Sequence, residues 1–147
     1  MEYWKYKAID KLKDYEAQKT ALLNISDEIA RLESESKSIK SATADGTPVK
    51  GGGSGREDRL LSNIVRVEEH KAMYRRARLA VRMVERGLKV LNNEERHVLD
   101  LMYIFQQKGA VARLAEEYGL ADERSVYKRA DKALLRFTIA MYGATEN

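Results

Sequence analysis

The chain contains no cysteine, which removes disulfides, thiolate catalysis and cysteine-ligated zinc together. That absence suits a reducing cytosol. The single proline, Pro48, leaves helices free to run uninterrupted on either side of it. No apolar run approaches the ~20 residues needed to span a bilayer. The charged opening, MEYWKYKAIDKL, lacks the apolar centre of a secretory signal. A cytoplasmic protein with no membrane partner is therefore expected. Histidine is scarce as well: His70 and His97 fall on different predicted helices, and neither a His-Glu-x-x-His signature nor a nucleophile elbow is present. The carboxylates all fit helix exteriors or caps. No catalytic centre, metal site or cofactor is expected.

What remains is a helix-forming sequence. Of its 147 residues, 44% are hydrophobic and 34% charged, a balance that suits long helices with one apolar face. From Glu2 to Ile39, Trp4, Ala8, Tyr15, Leu22, Ile25, Ile29, Leu32 and Ile39 recur at three- and four-residue steps. Gln18 and Ser36 fill intervening seam positions, and Leu12 and Leu23 widen the stripe. Between Ser41 and Arg56 the pattern collapses into SATADGTPVKGGGSGR, which reads as a flexible Gly-rich loop. It is no phosphate loop, because no Gly-Lys-Ser/Thr follows and no strand precedes it.

A second long helix is predicted from about Glu57 to Leu91, with Leu60, Ile64, Val67, Tyr74, Val81 and Leu88 on one side. Two amphipathic helices joined by a loop predict an antiparallel, coiled-coil-like hairpin over residues 1–91. Each helix could instead pair across copies in a homo-oligomer, and the pattern leaves both arrangements open. On the second helix Lys71, Arg75, Arg78, Arg82, Arg86 and Lys89 recur at steps of three and four. Met73, Ala77, Ala80, Val84, Leu88 and Leu91 take the opposite face. The basic row suits a track for nucleic-acid phosphates or an acidic partner. A solvated face answered by acidic residues of the first helix is the preferred reading.

Shorter helices follow over residues 92–143. Asn92 and Glu95 form a predicted capping box. The helix after it presents Val98, Leu99, Met102 and Phe105 and is expected to end near Gln107-Lys108-Gly109. Val111, Leu114, Ala115 and Tyr118 mark a short amphipathic helix. Ala115 and Gly119 stand four apart, as a helix-turn-helix requires: the small residue admits the second helix and the glycine admits a left-handed turn. Leu120 plugs the angle. Asp122 caps the last helix, whose buried stripe is Val126, Ala130, Ala133, Leu134 and Phe137. Residues at the start of such a helix reach base edges in duplex DNA. Arg124, Ser125, Tyr127, Lys128, Arg129 and Lys132 are therefore the candidate DNA-binding residues. Arg129 and Arg136 lie nearer the edge of the buried stripe, within reach of acidic neighbours. The net charge of +4 permits a nucleic-acid partner without demanding one.

The run from Asn92 to Phe137, with Glu94-Glu95-Arg96 opening one helix and Lys132-Ala133-Leu134 late in the recognition helix, resembles the promoter-reading C-terminal domain of sigma factors. The full layout, through Met141-Tyr142-Gly143, is similar to phage-encoded ArpU/RinA-type transcriptional regulators. That resemblance implies an all-α fold, a long hairpin followed by a sigma-like helix-turn-helix. It also implies regulation of phage or prophage late genes in a bacterial host, with RNA polymerase as a partner. Two alternatives are a phage small terminase subunit, which would bind packaging-site DNA as a ring, and a structural coiled-coil adaptor.

Overall fold

The computed structural model describes residues 2–44 and 53–145. Among these the protein is all helical: α1 (Tyr3–Ala44), α2 (Gly53–Lys89), α3 (Asn93–Leu99) with a π-helical turn (Asp100–Ile104), α4 (Ala110–Glu117) and α5 (Glu123–Tyr142). The long helical pair is present, followed by shorter helices. Of the Gly-rich loop expected over residues 41–56, both edges are helical. α1 continues through Ala44 and α2 begins at Gly53. Residues 45–52 lie outside the described residues.

Two compact units are formed, residues 1–18 with 79–147 and residues 19–78. The boundary therefore does not fall between residues 91 and 92. Both ends of the hairpin belong to the unit that carries the C-terminal helices.

In the hairpin unit, α1 and α2 run antiparallel. Asn63 donates through Nδ2 to Leu32 O (2.6 Å) and Ser36 Oγ (2.5 Å), while Lys71 Nζ lies 3.5 Å from Glu33. Leu32 and Val67 are buried in the seam. Ile64 was expected inside but is 44% exposed, and Asn63 is buried in its place at 3%. The reason is angular. Asn63 lies about 40° from the mean direction of Leu60, Val67 and Tyr74, and Ile64 about 60° from it on the other side. Leu23 and Met73, also assigned to apolar stripes, are exposed.

The larger unit has an enclosed core. Trp4, Ala8, Leu12 and Tyr15 from α1, Val81, Val84 and Leu88 from α2, and Ala133, Leu134 and Phe137 from α5 are buried. Gly87 explains how α2 and α5 approach so closely. A methyl group at this position would stand 2.7 Å from the Phe137 ring and 2.9 Å from Met141 Cγ. Ion pairing between Lys5 and Asp131 (2.9 Å) ties α1 to α5 at the surface.

α3 departs from expectation at its end. Phe105 N–H donates to Asp100 O and Gln107 N–H to Leu101 O, so one extra residue enters the first of these loops of the ladder and two the second. That insertion turns Leu101 and Ile104 inward, where a regular helix would have placed Met102 and Phe105. Met102 is half-buried and Phe105 is 61% exposed. The helical path stops at Ile104, and Gln106 takes a left-handed backbone (φ 47°).

Candidate nucleic-acid interface

The candidate interface lies on α4, the turn after it, and α5. Val98, Leu101, Ala110, Leu114, Val126 and Ala130 form a buried cluster that holds these helices together. α4 ends in a Schellman motif: Leu120 N–H donates to Ala115 O (2.8 Å) and Gly119 N–H to Glu116 O (3.2 Å). Gly119 carries the left-handed residue of this motif (φ 62°), a conformation that costs other residues a steric clash at Cβ. Leu120 then packs against the cluster, as the Ala-x-x-x-Gly spacing implied.

α5 starts at a strong cap. Asp122 Oδ1 accepts from Ser125 N (2.9 Å) and Ser125 Oγ (2.8 Å), and these bonds hold its carboxyl below the usual carboxylate range. From this start, Val126, Ala130, Ala133, Leu134 and Phe137 face inward. Arg124, Lys128 and Lys132 recur every fourth residue on the solvent side, all exposed. Tyr127 stands beside them, 48% exposed. It shares a surface groove of about 490 Å3 with Tyr103, Gln106, Gln107 and, from α1, Lys13. Burial, first, and then the Asp131 charge push the Tyr103 hydroxyl up to about 12, so it stays a neutral donor there.

Two of the six expected contact residues are engaged elsewhere. The hydroxyl of Ser125 belongs to the Asp122 cap. Arg129 points to the other flank of α5, where it ion-pairs with Glu94 and lies 5.2 Å over the Tyr118 ring. Arg136 behaves alike: it ion-pairs with Glu95 and donates to Val90 O (2.9 Å). Glu95 closes the predicted capping box as well, accepting from Asn92 N (3.1 Å) while Asn92 Oδ1 accepts from Glu95 N (2.8 Å). Glu94, Glu95 and Tyr118 thus hold α5 against its neighbours. The sequence reading did not assign Glu94 and Tyr118 that role. Their signal was the excess of arginine at the edge of the buried stripe of α5, next to an acidic helix start.

The row of cations on α2 is heterogeneous. In the hairpin unit Lys71 ion-pairs with Glu33 of α1 and approaches Glu68 (4.0 Å). Arg75 and Arg78 in the same unit are exposed. Arg82, Arg86 and Lys89, in the larger unit, are exposed too.

The chain matches no protein-family model, and no curated protein or solved structure is significantly similar to it. Other sites offer less to a ligand. His97 Nε2 lies 3.0 Å from Glu117 Oε2 with its ring edge-on to Tyr118, a link between α3 and α4. His70 Nδ1 is 2.8 Å from Arg66 O on its own helix. Among the described residues, no three acidic or histidine side chains converge as metal ligands. No helix of the described residues is long and apolar enough to cross a membrane.

Proposed function

We propose that this protein is a sequence-specific, double-stranded DNA-binding transcription regulator without catalytic activity. The observation that carries this reading is the open row Arg124, Lys128 and Lys132 at the start of a helix that follows a glycine turn. In such a unit the second helix enters the major groove with its N-terminal residues at the base edges. Arg124 has the planar fork that bonds guanine through two hydrogens, and Lys128 follows one turn later. Lys132 and Tyr127 then serve phosphates. Arg129 is a positioning residue that sets the roll of α5 through Glu94 and Tyr118.

The resemblance to ArpU/RinA-type regulators extends the proposal to promoters of phage or prophage late genes, with RNA polymerase as the protein partner. Selection of bound fragments from a random duplex pool at physiological salt tests it. A short enriched motif is expected, and its loss in the Arg124→Ala/Lys128→Ala double variant, with helicity intact. Weak binding without enrichment, or specificity unchanged in the double variant, would overturn the reading. Enrichment confined to a packaging site would point instead to a terminase.

A further inference from the structure

In the hairpin unit, α2 carries a second apolar stripe that none of the described residues of this unit covers. Leu61 (62% exposed) and Val65 (48%) stand on it with the half-buried Ala72. At 100° per residue this stripe lies nearly opposite the inner one formed by Leu60, Asn63, Val67 and Tyr74. α1 occupies the inner side, so the outer side is open.

Four exposed charges frame the outer stripe. Glu57 and Asp58 precede it, and Arg75 and Arg76 follow it. None of the four has an ion-pair partner among the described residues. Their spacing is informative. Glu57 to Arg75 and Asp58 to Arg76 are each eighteen residues, which is five whole turns. Glu57 and Arg75 therefore share one flank of the stripe, and Asp58 and Arg76 share the other.

We propose that this face is the docking surface for a second copy of the chain, paired antiparallel through α2. A two-fold axis between the helices keeps each flank on its own side and reverses direction. Glu57 then meets Arg75 of the second copy, and Asp58 meets Arg76, twice over. Leu61 packs on Ala72 of the second copy, with Val65 near the axis. A parallel pairing would set Glu57 and Arg75 against their own kind, so the charges select direction as flanking charges do in coiled coils. Glu68 is the acidic residue within the stripe, and its charge is met along its own helix by Lys71.

Sedimentation equilibrium of the full chain, without DNA, tests this. A concentration-dependent mass reaching twice that of one chain is expected. Either Glu57→Arg/Asp58→Arg or Arg75→Glu/Arg76→Glu weakens association by roughly tenfold or more, as several rim pairs turn repulsive. Mixing those two variants restores pairing, because every flank contact between them is again attractive. Val65→Glu leaves a helical monomer, and Glu68→Leu tightens the dimer. A wild-type monomer at high micromolar concentration, a larger ring, or mixed variants that fail to pair would each overturn the proposal. None of these readouts requires DNA binding, so a failure here is distinct from failure of the regulator reading.

Discussion

The two units use the same pair of long helices and hold together by different means. In the hairpin unit α1 and α2 face each other, and the buried ones among the described residues are Leu32, Val67 and the polar Asn63. In the larger unit the helix ends meet α3, α4 and α5, and Leu12, Leu99, Leu114, Leu134 and Phe137 are fully enclosed. A two-helix seam has solvent on both flanks, so its apolar residues keep part of their surface wet. A third helix closes one flank and turns a stripe into an interior. The larger unit should accordingly resist opening more than the hairpin unit, and amide exchange should be slower in 79–142 than in 53–78.

The contrast can be broken most forcefully at Phe137. Phe137→Ala leaves a cavity beneath Gly87 and should cost about 3–5 kcal/mol, read as a drop in urea midpoint with unchanged slope. A loss below that of an ordinary surface change would mean that the enclosed core is not what holds the larger unit. Asn63 sharpens the other side. Its Nδ2 serves Leu32 and Ser36, while its Oδ1 is buried without a partner. Asn63→Asp removes the donor and adds a buried charge, and should cost about 1–3 kcal/mol. Asn63→Leu removes donor and orphan together and should be nearly neutral. Equal effects of the two changes would show that the amide bonds do not set the seam.

The smallest effect is a titration. Burial, then the hydrogen bond to Glu85 (3.0 Å) and its charge, push the Tyr15 hydroxyl up from 10.0 to about 12. A folded pKa above the unfolded one stabilises fully below pH 10 and is lost as pH rises through about 12. Tyr15→Phe should flatten that stretch of the stability profile. Tyrosinate absorbance should then lose one late-ionising group and keep Tyr103. An unaltered titration would place the Glu85 contact outside the folded state in solution.

How much of this was legible in the sequence follows from how local each cause is. The Asn92 capping box, the Asp122 cap, the Gly119 turn and the inward stripe of α5 depend on residues within a few positions, and all stand as expected. The π-helical turn does not announce itself: nothing in Asp100–Ile104 breaks a three- and four-residue rhythm, so Phe105 read as interior. Ile64 read as interior because it lies only about 40° from Leu60 around the helix, and the polar Asn63 was passed over. Among the candidate contact residues, Arg124, Tyr127, Lys128 and Lys132 are open. Ser125 and Arg129 are engaged by Asp122 and Glu94, partners whose positions only the folded chain brings together.

The division of the long helices between two units has a consequence on the ribosome. Lys5 waits for Asp131, and Lys7, near the start of the chain, ends 5.0 Å from the Tyr142 ring. At the usual pace of about 5–20 residues per second, the first turns of α1 would stand exposed for roughly 6–25 s before α5 is made. Residues 19–78 can close their own seam in that interval. Trp4, Ala8 and Leu12 cannot, because the helices that enclose them follow later in the chain.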